Sequence, residues 1–451
     1  MLGASLSRWT MSYFAAALCA LIGAEALMAA GYGFPSAPLR APETLFLVHL
    51  VVIGWLSLLL CGALLQFVPV LIARPLHSDA LSLPALGLLL AGLGGLLGGF
   101  LQLAGTLDLH PSLLPYAAVA LAAGFGLTLY NLGRTLAAAR PLPLAARFVR
   151  VALLSLAATV TLGLIFALAL SLPISNWFVL VIAGAALPLH VVAGIGGWLT
   201  FAAIGVSYRL LAMFMLAPEL EGTRPHMVLR LGTAALIVTI LGGLGLLLAA
   251  APISLALLLG GLLSLAALGI YGTDILQLYR ERKRRIVELN SEMAAFALTS
   301  LAAATVLALI LAGFRHFSGQ IGALGFLILF GWLTGLGLAK LYKIVAFLTW
   351  LECYGPILGK AATPRVQDLV AERQARGWFF LYYAATWAAT AALLASSTLM
   401  FRLAAAAMTA ATAAIIVQLV RTRRLSNISG PAGLPGCVHR PRLLIALPES
   451  G

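Results

Sequence analysis

The sequence predicts an all-α membrane protein of about twelve transmembrane helices arranged as three pseudo-equivalent four-helix arcs. Composition is the first reason: 62% of the 451 residues are apolar and 9% charged, with a mean hydropathy of +1.05. A soluble domain carries roughly a quarter charged residues. Length is the second, because apolar runs of about 20 residues, enough to cross a hydrocarbon layer about 30 Å thick, follow one another along the chain. Repetition is the third. Gly54-Trp55-Leu56-Ser57, Gly197-Trp198-Leu199-Thr200 and Gly331-Trp332-Leu333-Thr334 are copies of one motif, each inside a long apolar run.

In chain order the spans are expected at Met11–Gly33, Leu45–Ala73, Leu83–Gly105, Ser112–Leu136, Phe148–Leu172, Val179–Phe214, Val228–Ala250, Ile253–Tyr279, Met293–Gly313, Gly322–Ala346, Trp378–Met400 and Ala404–Val420. The first has one arginine before it and no small-residue cleavage site, so it reads as a retained helix rather than a removed signal. Residues 1–424 thus form one multi-pass domain. The segment 425–451, rich in Pro, Gly and Ser, is expected to be a mobile cytoplasmic tail.

The motif falls in helices two, six and ten, which is the spacing of a four-helix repeat. Eight residues after each motif glycine comes a small residue (Gly62, Gly205, Ala339), after twelve a long polar one (Gln66, Arg209, Lys343), and after fifteen Pro69, Ala212 or Ala346. Small residues let helices approach closely in lipid, where packing drives association. That role, with tryptophan filling the adjoining space, accounts for the Gly-Trp pairs. Near helix ends the long polar residues can snorkel to the interface, the reading favoured for Lys343. Arg209, well inside its segment, is the better candidate for an internal partner.

The net charge of +14 is a topology signal rather than a nucleic-acid footprint. All of the 28 lysines and arginines except Arg40, Arg315 and Arg402 fall on one side of the predicted bundle. By the positive-inside rule that side, with both termini, is cytoplasmic, as in a bacterial inner membrane. The partner this implies is the lipid bilayer, and the run Arg280-Glu281-Arg282-Lys283-Arg284-Arg285 could also meet anionic headgroups. Four cysteines, Cys19, Cys61, Cys353 and Cys437, show no CxxC spacing and define neither a disulfide framework nor a zinc site.

A histidine or carboxylate inside a membrane helix needs a partner or a task. His49, His190 and Glu25 meet that description. Each histidine is either a metal ligand or a hydrogen-bonded group of the packed interior. Glu25, at a depth comparable to His49, could contact it structurally, fix its tautomer as a ligand, or pass protons. Asp274, with Tyr271 and Tyr279 at a helix end, reads as a solvated cap. His77, His110, His226, His316 and His439 fall in loops, near helix ends or in the tail; His316 alone could reach a site on the outer side.

Twelve helices, inside termini and related second, sixth and tenth helices with histidines toward their outer halves resemble the catalytic subunit of the heme-copper oxidases and nitric oxide reductases. His49-Leu-Val-Val-Ile-Gly54-Trp55 through Gln66-Phe-Val-Pro69-Val resembles that family's second helix. His190 through Gly197-Trp198 to Tyr208-Arg209-Leu-Leu-Ala-Met213-Phe214 resembles its sixth. The resemblance implies an oxidase subunit I-like fold, with His49 at a low-spin heme position and His190 at a copper position. The family's tenth helix carries further histidines, and its seventh helix also binds copper. Here the matching tenth-helix positions are Leu324 and Phe326, and no histidine lies between Val228 and Ala250. Copper and a standard binuclear centre are therefore not expected.

The functional expectation is a divergent, non-oxidase member that binds one heme b or a metal through His49, in redox sensing, heme handling or nitric-oxide-related stress, with membrane or electron-transfer partner subunits. Two alternatives stand beside it. One is a small-solute or ion transporter with Glu25 and Arg209 as charged gates. The other is a cofactor-free membrane scaffold subunit.

Overall fold

A computed structural model describes residues 7–314, 317–360, 362–428 and 441–445, with the side chains of Phe317 and Ser318 outside the description. Among the described residues there is no strand. Twelve helices are long and apolar enough to cross a membrane: α1 Thr10–Ala30, α2 Pro42–Ile72, α3 Asp79–Leu103, α4 Leu114–Ala137, α5 Leu144–Ser171, α6 Leu187–Met215, α7 Thr223–Leu248, α8 Ser254–Arg280, α9 Leu289–Gly313, α10 Gly319–Ile357, α11 Glu372–Leu394 and α12 Thr398–Arg423.

Helix boundaries follow local chemistry. Gly31 closes α1 in the left-handed region, its N–H reaching the carbonyls of Leu27 and Met28. Pro42 opens α2, where its missing N–H costs nothing, and Glu43 complements the helix dipole in the first turn. The sixth apolar run is broken: Trp177–Ala185 forms a separate short helix, and α6 restarts at Leu187-Pro188. Pro188 has no N–H to donate and its ring crowds the carbonyl four residues back, so a helix does not continue through it and a new one starts with it in the first turn.

The chain divides into two compact units. One comprises Leu64–Val287; the other joins the described residues before Leu64 to those from Glu288 onward, so that α2 is shared between them. In the first unit α3 packs on α4, α4 on α5, α5 on α6, and α7 on α8. Glycines set the α3–α4 seam: a Cβ on Gly92 would lie 2.8 Å from Leu121, and one on Gly124 would lie 2.9 Å from Leu89. In the second unit α1 packs on α2 and α12, α9 on α10, and α11 on α12.

The first two helices of each repeat meet in the same way. A Cβ on Gly62 of α2 would stand 2.6 Å from Tyr13 Cβ of α1, and one on Gly205 of α6 2.6 Å from Phe148 Cβ of α5. Seven residues after Phe148, Ser155 lies against motif Gly197; seven after Met293, Ser300 lies against motif Gly331. The close-approach role read from the glycine spacing is what these contacts display.

Little of the predicted tail is described. Leu425 is buried in a cluster with Cys353, Tyr354 and Leu369, against which Ile428 packs. Asn427 Nδ2 donates to Leu369 O, Arg423 Nε to Arg442 O, and Ser12 Oγ to Leu444 O. These residues are held against the helices. Residues 429–440 and 446–451, with Cys437 and His439, lie outside the described residues, as does His316.

Candidate functional site

Each motif lies in a stretch of π-helix, save that Thr200 falls just after its segment: Leu50–Ser57, Val192–Leu199 and Leu327–Thr334. Such turns are uncommon and often mark functional positions, because each inserts a residue and re-aims the side chains after it. The last motif residue supports this geometry. Ser57 Oγ donates to Val52 O at 2.7 Å, and Thr200 Oγ1 to Ile195 O at 2.6 Å, both five residues back. In the third copy the hydroxyl turns outward instead, and Thr334 Oγ1 accepts the indole N–H of Trp55 at 2.9 Å. All three tryptophans are buried.

This Trp55–Thr334 contact closes the seam between α2 and α10. Three residues further along α10, a Cβ on Gly337 would lie 2.8 Å from Leu59 and 3.3 Å from Trp55. Toward the other end, Phe326 stacks on Phe330 at 4.7 Å between ring centroids and meets Phe401 of α12 edge-on at 5.4 Å. Leu324 is buried in a cluster with Ala304 and Leu327.

His49 stands immediately before the first π segment. Its Nδ1 bonds Leu45 O one turn back at 2.8 Å, which puts the proton on Nδ1. His190, before the second, bonds Thr159 O of α5 through Nδ1 at 3.1 Å and packs edge-on against Phe166 at 5.4 Å. Both histidines thus make the backbone hydrogen bond that a packed interior requires.

Glu25 is fully buried on α1, and neither carboxyl oxygen has a hydrogen-bond partner among the described residues. Thr412 of α12 adjoins it without completing a hydrogen bond, and Tyr382 of α11 lies in the same buried neighbourhood. The Glu25–His49 contact considered from sequence includes no hydrogen bond to either carboxyl oxygen among the described residues.

These residues do not fit a heme held by two histidines. At the α10 positions where the oxidase resemblance implies the second axial ligand, Phe326 and Leu324 offer hydrocarbon. Copper fits no better: among the described residues no group of three His, Cys, Asp or Glu side chains could hold a metal ion.

Three polar assignments are corrected. Lys343, expected to snorkel, pairs with Glu288 at 2.8 Å, their side chains 14% and 9% exposed. Glu288 is placed by chain geometry, since it is the extended residue from which α9 starts. Arg209, expected to have an internal partner, pairs with Glu219 in the exposed segment after α6. Asp274 is not a solvated cap. It is fully buried, accepts the Tyr208 hydroxyl at 2.8 Å and lies 3.5 Å from Arg224 Nε. The helix end that carries it borders a cleft of about 430 Å³ lined also by Gln277 and Glu281.

Sequence reasoning also passed over Arg423, buried at the end of α12 and paired with Glu352 of α10 at 2.6 Å, with Nη1 3.3 Å from Thr349 Oγ1. Its place among Arg421, Arg423 and Arg424 made it look like one more cytoplasmic charge. Lys340, buried on α10, was hidden in the same way. No protein family's sequence profile matches this chain, and no curated protein matches it significantly.

Proposed function

We propose that this chain is a divergent membrane protein similar to oxidase subunit I that performs no chemistry at a binuclear centre and works as a cofactor-free scaffold subunit, presenting its helices to a membrane partner. The observation that carries this reading is the closed α2–α10 seam, where Trp55 bonds Thr334 and Gly337 receives Leu59. A low-spin heme of the family sits between the histidines of these two helices, and here their side chains pack on one another. The threefold motif, in π-helical form each time, supports descent from three copies of one four-helix unit. The basic side supports cytoplasmic termini.

A second reading, one heme b or metal held by His49 alone, is favoured by the Nδ1 contact with Leu45 O. A ligating imidazole uses the same bond to fix its tautomer. Visible absorption spectra separate the two. The protein is expressed with ample heme, purified folded, and measured oxidised and then reduced. Colourless protein is the expected result. A b-type spectrum lost in His49→Ala and kept in His190→Ala would overturn the scaffold reading in favour of the heme one.

A further inference from the structure

Glu25 is a buried acid whose chemistry the scaffold reading leaves unused. It sits in the second unit on α1, fully buried, with both carboxyl oxygens lacking a hydrogen-bond partner among the described residues. An ionised carboxylate isolated from water in hydrocarbon is costly by several kcal/mol or more, and it survives only beside a cation or several donors. Neither is provided among the described residues. From α12 the neighbour is the Thr412 hydroxyl, which has no hydrogen-bond partner among them either. From α11 it is Tyr382, whose hydroxyl donates to Phe330 O at 3.0 Å. On α2, the titratable His49 has Nδ1 committed to Leu45 O. The arginine nearest along α12, Arg402, is exposed and donates to Ala29 O one turn beyond Glu25.

We propose that Glu25 is a proton-binding site: a carboxyl held neutral inside the α1–α11–α12 cluster, which exchanges its proton with water, with the Thr412 hydroxyl beside it as the donor available to the ionised form. One carboxyl beside two hydroxyls is too small an oxygen set for a metal cation, which needs about six ligands, and is sufficient for a proton. The inference does not depend on the presence or absence of a heme.

The test uses the full-length protein in lipid vesicles. Dicyclohexylcarbodiimide, an apolar reagent, takes the proton of a neutral carboxylic acid onto nitrogen while the carboxyl oxygen adds to its central carbon. The adduct rearranges to a stable acylurea that keeps every atom of the reagent. The expected result is an adduct on the peptide containing Glu25, absent in Glu25→Gln and diminishing as the pH is raised. Infrared spectra provide a second readout on the unmodified protein: a neutral-carboxyl C=O band that shifts in D2O and is missing from the Glu25→Gln spectrum. An infrared spectrum with no such band, or a band that never responds to D2O or to pH, would overturn the proposal. The first outcome means an ionised group, and the second a sealed structural acid.

Discussion

The indole N–H of Trp55 on α2 donates to the hydroxyl of Thr334 on α10 at 2.9 Å, joining two copies of the same motif through different members of it. Both residues are buried, so the bond has no competition from water. In membrane proteins such interhelical hydrogen bonds couple by about 0.6 kcal/mol on average and at most about 1.7. Thr334→Val keeps the shape and removes the acceptor, and Trp55→Phe removes the donor. A double-mutant cycle of unfolding in detergent should return a coupling within that range. Strict additivity would mean that the seam is held by packing alone.

Glycine contacts give a second prediction with an internal control. Gly62→Ala and Gly205→Ala each place a Cβ 2.6 Å from the Cβ of a ring-bearing residue on the neighbouring helix, and overpacking of this kind costs about 1–3 kcal/mol. At Gly87 and Gly126 an added methyl would meet nothing within 4 Å, so Gly87→Ala and Gly126→Ala should be neutral or slightly stabilising. Monodispersity and thermal stability in one detergent compare all four. Equal behaviour would remove the close-approach account of the repeat.

The buried ion pair at the end of α12 is the third. Arg423 is 3% exposed and Glu352 10%, and Arg423→Met would take from Glu352 the guanidinium it pairs with in the interior. Losing one partner of such a pair costs about 3–5 kcal/mol, whereas replacing both by apolar residues is often neutral. Arg423→Met should therefore be destabilised more than Arg423→Met/Glu352→Met, measured by thermal unfolding. Arg209→Met, which frees only the exposed Glu219, should fall within about 1 kcal/mol of the parent.

How much of this was legible in the sequence follows from range. Twelve spans could be counted because apolar length is a property of each run by itself, and helices two, six and ten were related by a motif that recurs in the residues themselves. The π segments left no such mark. Ser57 and Thr200 signal them only through bonds five residues back, and a hydroxyl in that position is also compatible with an ordinary helix. The break at Ala186 was indicated by Pro188 but hidden by the unbroken apolar run around it. Lys343 and Glu288 could not be paired by reading, since the partner comes from the start of a different helix. Asp274 looked solvated because it lies near basic residues in the chain, while its hydrogen-bond partner Tyr208 comes from another helix.

Charge distribution yields the last prediction, which concerns orientation. The loop after α4 holds Arg140 and that after α8 holds Arg282, Lys283, Arg284 and Arg285, whereas the loop from the end of α5 to Trp177 holds no basic residue. During insertion Lys and Arg next to short loops are retained on the cytoplasmic side, and because helices alternate in direction one such assignment fixes the rest. Reporter fusions at Arg140 and Arg285 should read cytoplasmic, and one at Ser175 external. A cytoplasmic reading at Ser175 together with a cytoplasmic reading at Arg140 would mean that α5 does not cross the bilayer, despite 28 residues of helix with a mean hydropathy of 2.4. External readings at both Arg140 and Arg285 would invert the whole chain, and the basic side would then need another explanation, such as a partner of opposite charge.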